Sequence, residues 1–93
     1  MSAFIQTRLR VGDYERWKPM FDADGPRARE KAKRWTIYRS EDDPGEVFVW
    51  IEFGSVADAV EGRERLLGSG VLDRFEDKSL PRVLTAAETV AAG

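Results

Sequence analysis

Apolar positions along the chain fall into two rhythms, one of period two and one of period three to four. Residues 3–11, "AFIQTRLRV", alternate: Ile5, Thr7, Leu9 and Val11 share one face, and Phe4, Gln6, Arg8 and Arg10 the other. That spacing predicts a strand. Gly12-Asp13 ends it, and Asp13 is placed to cap a helix that begins at Tyr14. Tyr14, Trp17 and Phe21 then recur at i, i+3 and i+7, a single helical stripe. Pro19 lies beyond the first turn, where its missing N–H and its ring predict a kink. Asp24-Gly25-Pro26 breaks the helix. Pro26 suits a first helical position, so a restart is expected, running past Ala28 and Ala32 to about Lys33.

The second half repeats the two rhythms. "RWTIYRS" (34–40) and "EVFVWIEF" (46–53) read as strands joined by "EDDPG" (41–45). Pro44 and Gly45 suit the central positions of a type II turn, so the pair is expected to form a hairpin. Ser55 with Asp58 resembles a capping box in which Asp replaces the usual Glu. Val56, Ala59, Val60, Leu66 and Leu67 give the following helix its apolar stripe, and "GSG" (68–70) ends it. Val71, Leu72 and Phe75 suggest a short further helix. Leu80-Pro81 leads into a last strand at 82–90, and the Ala-Ala-Gly tail is expected to fray. The order β-α-β-β-α-β predicts a single α+β domain spanning 1–93. It is the ferredoxin-like arrangement, a four-stranded antiparallel sheet with its helices on one face.

Helices on one face leave the other open. Val47, Val49, Ile51 and Phe53 belong under the helices. Phe48, Trp50 and Glu52 point away, joined by Phe4 from the first strand and by Thr36 and Tyr38 from the second. An open face with two Phe, a Trp and a Tyr marks an interface. A second copy packing its sheet against this one is the economical cover, so the expectation is a homodimer. At 93 residues a chain buries only about 60–65% of its unfolded surface, and a partner subunit would add to that modest core.

Composition narrows the chemistry. The net charge is −2, without the basic footprint of a nucleic-acid binder. "RAREKAKR" (27–34) is interrupted by Glu30 and reads as a solvated helix face. No apolar run approaches the roughly 18 residues of a membrane span, and "MSAFIQTRLR" has no signal-like apolar segment, so a cytoplasmic location with no membrane partner is expected. There is no cysteine, histidine or asparagine. Thiolate and imidazole catalysis are thereby excluded, as are Cys and His metal ligands. Asp42-Asp43 lack further ligands for a metal and are read as serving the turn. No metal or cofactor is expected.

"VGDYERWKPMFD", "YRSEDDPGEVFVWIEF" and "SVADAVE" together resemble the dimeric α+β barrel proteins of the antibiotic biosynthesis monooxygenase-like type, over about residues 8 to 88. The resemblance implies two subunits joining their sheets into one barrel. It also implies a small-molecule pocket in each subunit between helices and sheet. Activities in that family include cofactor-independent oxygenation of aromatic polyketides, cyclisation, haem degradation, and isomerase or lyase reactions on small rings. Haem-degrading members use a histidine, which this chain lacks. The quinone-forming oxygenases are associated with Asn, Trp and Tyr. Here the Asn is missing, while Trp17, Trp35, Trp50, Tyr14 and Tyr38 are available.

A cofactor-free oxygenase needs a base and a dry pocket to hold a phenolic substrate as its anion. Glu52, beside Trp50, is the candidate base, since burial raises a carboxyl pKa. Tyr14, near a helix start, is the second candidate catalytic residue. Trp17, Phe21, Tyr38 and Trp50 are the candidate substrate walls, and Arg8 the candidate anion holder, with Arg10 as its alternative. Each has a structural alternative. Trp17 and Phe21 have the spacing of core residues, Trp50 and Tyr38 can fill the space between subunits, and Glu52 can pair with Arg8 or Arg10 across strands.

Overall fold

The structure, a computed structural model, describes residues 2–93. Its elements are β1 (Ala3–Arg10), α1 (Tyr14–Ala23), β2 (Arg34–Arg39), β3 (Glu46–Phe53), α2 (Val56–Gly68), a 3₁₀ turn (Val71–Arg74) and β4 (Lys78–Leu84). The four strands form one antiparallel sheet in the order β2-β3-β1-β4. This is the expected ferredoxin-like β-α-β-β-α-β arrangement. Alternation sets the register: Ile5 faces Ile51, Thr7 faces Val49 and Leu9 faces Val47 on one side of the β1–β3 ladder. All six are buried, and with Phe53, Trp17, Ala59 and Leu72 they form the core beneath the helices. Burying each large side chain there contributes about 1.5–3 kcal/mol relative to leaving it in water.

Three sequence expectations are corrected. Residues 26–33 form turns rather than a second helix. Asp24 caps α1 in the left-handed region (φ 44°), and its two carboxylate oxygens accept from the N–H groups of Ala28 and Arg29, each at 3.1 Å. A side chain thus takes the donor that would have opened a helix, and Arg27 is itself left-handed at φ 57°. β4 runs from 78 to 84, not from 82 to 90. Pro81 is accommodated because β4 is an edge strand and its pairing with β1 slips between Gln6 and Arg8, a bulge that needs no donor there. β4 stops because Leu84 pairs with Phe4, near the start of β1, and residues beyond it have little strand left to meet. The hairpin turn forms at 43–46, with Glu46 N–H donating to the Asp43 carbonyl at 3.0 Å. Gly45, however, has no positive φ, so the turn is not type II. Glycine is required there by contact. A Cβ would lie 2.9 Å from the Gly12 carbonyl oxygen, where the turn docks on the end of β1.

Charges fasten the same end of the sheet. Arg8 binds Glu46 and, at 2.6 Å, Asp77; Arg10 binds Asp43 and, at 2.7 Å, Asp77. Hydrogen bonds from Arg8 and then Arg10 hold the Asp77 carboxyl well below its ordinary pKa, and a hydrogen bond from Lys31 lowers that of Glu61. A folded-state pKa below the unfolded value gives stability that is complete above about pH 4 and lost as pH falls below it. With no histidine or cysteine, no side chain has an ordinary pKa between about pH 5 and 8. The melting temperature is therefore expected to be flat across that interval and to fall in acid, and Asp77→Asn should blunt the acid loss. Circular-dichroism melts against pH check this; a midpoint that moves between pH 5 and 8 would contradict it.

Candidate functional site

α1 starts where Asp13 Oδ1 accepts from the N–H of Glu15 at 3.0 Å, and it continues through Pro19 to Ala23. α2 lies close on β1, β3 and β4. No Cα of α1 comes within 8 Å of another element among the described residues. Side chains alone hold α1 off the sheet. Trp17 is the buried spacer, with Tyr14 at 5.7 Å on one side and Phe21 at 5.0 Å on the other, between ring centres.

The stand-off leaves a cavity of about 70 Å³ between α1, the sheet, α2 and the 3₁₀ turn. At roughly 10–15 Å³ per water-sized occupant it has room for about five. Its wall is mainly apolar, including Leu9, Trp17, Phe21, Ile51, Leu66 and Leu72. Three polar side chains reach it: Thr7, Asp24 and Arg29. Thr7 is committed, its hydroxyl donating to the Ser79 carbonyl at 2.7 Å.

Arg29 was not foreseen. The run at 27–34 reads as a solvated face, yet Arg29 is buried, with a side chain 5% exposed. Its guanidinium lies over the Phe21 ring at 3.8 Å and near Trp35 at 4.6 Å. It donates to the Phe21 carbonyl and sits 3.6 Å from Asp24. Burial pushes its pKa down, opposed by Asp24, but a guanidinium keeps its proton in proteins. The only signal in the sequence was the pair Ala28 and Ala32 around it, a small-residue edge inside a charged run.

The sheet divides the other candidates. Trp17 and Phe21 line the cavity. Glu52, Tyr38 and Trp50 lie across the sheet, in an open hollow on its outer face with Phe4, Arg34 and Thr36. Glu52 is bound there by Arg34 at 3.0 Å and by the Ser2 hydroxyl at 2.7 Å. Its ionic partner is thus Arg34, which stands opposite it in the β2–β3 register, and not Arg8 or Arg10. Arg8 is also on the outer face, engaged by Glu46 and Asp77. Tyr14 is half-buried beside the cavity, with the Arg39 guanidinium 4.6 Å over its ring. Among the described residues no cluster of acidic side chains could hold a metal ion, and no helix is long and apolar enough to cross a membrane.

Neither a protein-family profile nor a curated protein sequence matches the chain. Solved structures do match it along nearly its whole length. SnoaB, a cofactor-independent oxygenase from Streptomyces nogalater, crystallised as an Asn-to-Ala mutant, superposes with a TM-score of 0.72 at 13% identity, covering 98% of both chains. Rv0793 from Mycobacterium tuberculosis gives 0.66 at 16% identity, over 98% of this chain and 100% of that one. A candidate antibiotic biosynthesis monooxygenase from Nitrosomonas europaea gives 0.66 at 14% identity, over 97% and 94%. The chain shares the fold of these three proteins. Within that fold the cavity under α1 and the outer sheet face are separate places, and the residues of interest divide between them.

Proposed function

We propose that the protein is a homodimer whose outer sheet faces pack together into one barrel. Each subunit binds a small, flat, largely apolar molecule under α1. On that molecule it acts as a cofactor-independent monooxygenase or cyclase, the substrate being an aromatic or polyketide compound. The observation that carries this reading is the cavity: an apolar chamber, walled by Trp17 and Phe21 and roofed by a helix that rests on side chains alone, in a fold shared with a cofactor-independent oxygenase. A ligand larger than the chamber enters by lifting α1, whose attachments are few. In such a reaction a hydroxyaryl substrate that has lost its proton to water passes an electron to dioxygen, the radical pair joins at carbon, the peroxide anion takes a proton back from water, and loss of water, carrying off the hydrogen on that carbon, leaves a carbonyl. The protein supplies a dry, oriented site.

Oxygen uptake with hydroxyaryl probes of one to three rings tests this. The expected result is one O₂ consumed per probe lost. Removing a general base costs about 10²–10⁴-fold. Because Glu52 is across the sheet from the cavity, Glu52→Gln is expected to stay within about threefold of the parent rate; Tyr14→Phe is expected to do the same because Tyr14 stands beside the cavity without lining it. A base-sized loss in Glu52→Gln would instead move the reaction to the outer hollow.

One observation favours a second reading, a non-catalytic ligand-binding or accessory dimer. Among the described residues Asp24 is the only carboxylate on the cavity wall, and both its oxygens already accept from backbone N–H groups. Saturable probe binding with no oxygen consumption and no new product would decide for the binder.

A further inference from the structure

We infer that the cavity's natural occupant is a small apolar acid, whose carboxylate is received by the edge of the Arg29 guanidinium. The inference rests on the reading that this cavity is the binding site.

A guanidinium carries five N–H donors. Protein groups engage two of those on Arg29: one N–H of Nη2 goes to the Phe21 carbonyl, and Nε lies at a loose 3.6 Å from Asp24. Both N–H groups of Nη1 and the second of Nη2 have no protein acceptor among the described residues. No buried side-chain nitrogen lacks a hydrogen-bond partner among the described residues, so these free donors are not sealed in protein and stand open to an incoming acceptor. Phe21 and Trp35 stack on the guanidinium. They leave its in-plane edge as the direction for a ligand, and that edge matches a carboxylate in two-point geometry. Asp24 pairs with Nε alone, at 3.6 Å, and its oxygens also accept from the Ala28 and Arg29 backbone, so it leaves the Nη1 edge free.

The approach is charged in the same sense. On the solvent side, a hollow between α1 and the 3₁₀ turn shares Trp17, Met20 and Phe75 with the cavity and carries Arg16 and Arg74. Neither arginine is in an ion pair among the described residues. The one carboxylate of the hollow, Asp13, is occupied as the cap of α1. In a chain of net charge −2, a cationic entrance to an apolar chamber selects anions and speeds their arrival.

The test uses benzoate and its neutral isostere benzamide, titrated into ¹⁵N-labelled protein, with the indole N–H signals of Trp17 and Trp35 as reporters. Benzoate is expected to bind about tenfold or more tightly than benzamide, the worth of a charged hydrogen bond. Arg29→Met should bring the two to equal affinity while benzamide still binds. Equal affinity in the unaltered protein would overturn the inference and leave the cavity as a binding site. Failure of both probes to shift either indole signal would overturn the binding-site reading itself. The comparison in the unaltered protein decides the matter even if Arg29→Met does not fold.

Discussion

Replacing Gly62 with alanine is expected to destabilise the protein by about 1–3 kcal/mol, against the gain of about 1 kcal/mol that alanine ordinarily brings to a helix interior. Gly62 is buried in α2 at the point where that helix meets both the sheet and the segment 26–33. A Cβ there would stand 2.6 Å from the Ala28 carbonyl oxygen, 2.9 Å from Phe53 Cζ and 3.3 Å from Ile5 Cδ1. Phe53 and Ile5 are fully buried in the core. Ala28 is tied by its N–H to Asp24. Something must therefore move, and whichever part moves loses packing. Gly68, the last residue of α2, has nothing within 4 Å of its would-be Cβ. Gly68→Ala is thus expected to stabilise by a few tenths of a kcal/mol to about 1 kcal/mol. Thermal melts of the two variants should move in opposite directions, by roughly 4–8 °C per kcal/mol for a domain of this size. An unchanged midpoint for Gly62→Ala would mean that the 26–33 segment yields freely, and the cavity it helps to close would then be far more plastic than its packing suggests.

The strands and both helices were legible because each carries a local period that tertiary packing reinforces. β3 is the clearest case: Val47, Val49, Ile51 and Phe53 read as one face and are buried as one face. The failures occurred where a side chain competes with the backbone or where pairing is set by another strand. Asp24 looked like a breaker, but nothing local indicated that its carboxylate would capture the N–H groups of Ala28 and Arg29 and so prevent a second helix. β4 overran in the reading because "TAAETV" has strand-like residues, whereas the limit on β4 is the length of β1.

The candidate site was legible in pieces rather than as a place. Trp17 and Phe21 were found by helical spacing, which is also what opens the cavity. Assigning Glu52, Tyr38 and Trp50 to the face opposite the helices was correct. The sheet lies between them and Trp17 within the subunit, so the candidates form two groups. Arg29 was hidden for a different reason. In a run of basic residues nothing local distinguishes the one that turns inward, and its burial depends on Phe21 and Trp35, which come from α1 and β2.

A Trp50→Glu variant is expected to be monomeric at concentrations where the unaltered protein is dimeric. Trp50 lies at the middle of the outer face, edge-on to Phe4 at 6.1 Å and opposite Thr36 in the β2–β3 register. Trp50 is 36% exposed and Tyr38 is 56% exposed, so much of the patch lies open among the described residues. In a two-fold dimer the same patch serves both partners, and one substitution acts twice. Each new carboxylate would enter the interface unpaired, since the nearby Arg34 already holds Glu52. An uncompensated buried charge costs about 3–5 kcal/mol. Two of them weaken association by four or more decades at roughly 1.4 kcal/mol per decade. The subunit itself should stay folded, because Trp50 belongs to the outer face and contributes nothing to the core under the helices. Val56→Glu is the matched control. Val56 is also exposed, but it opens α2 on the other side of the molecule, where a carboxylate suits the helix N-terminus. Sedimentation velocity over a concentration series, with circular dichroism to verify folding, should show a dimer for the parent and Val56→Glu and a monomer for Trp50→Glu. A parent that sediments as a monomer would remove the barrel. A Trp50→Glu protein that remains dimeric would place the interface elsewhere, and the outer hollow around Glu52 would then stand open as the larger of the two places for a ligand to bind.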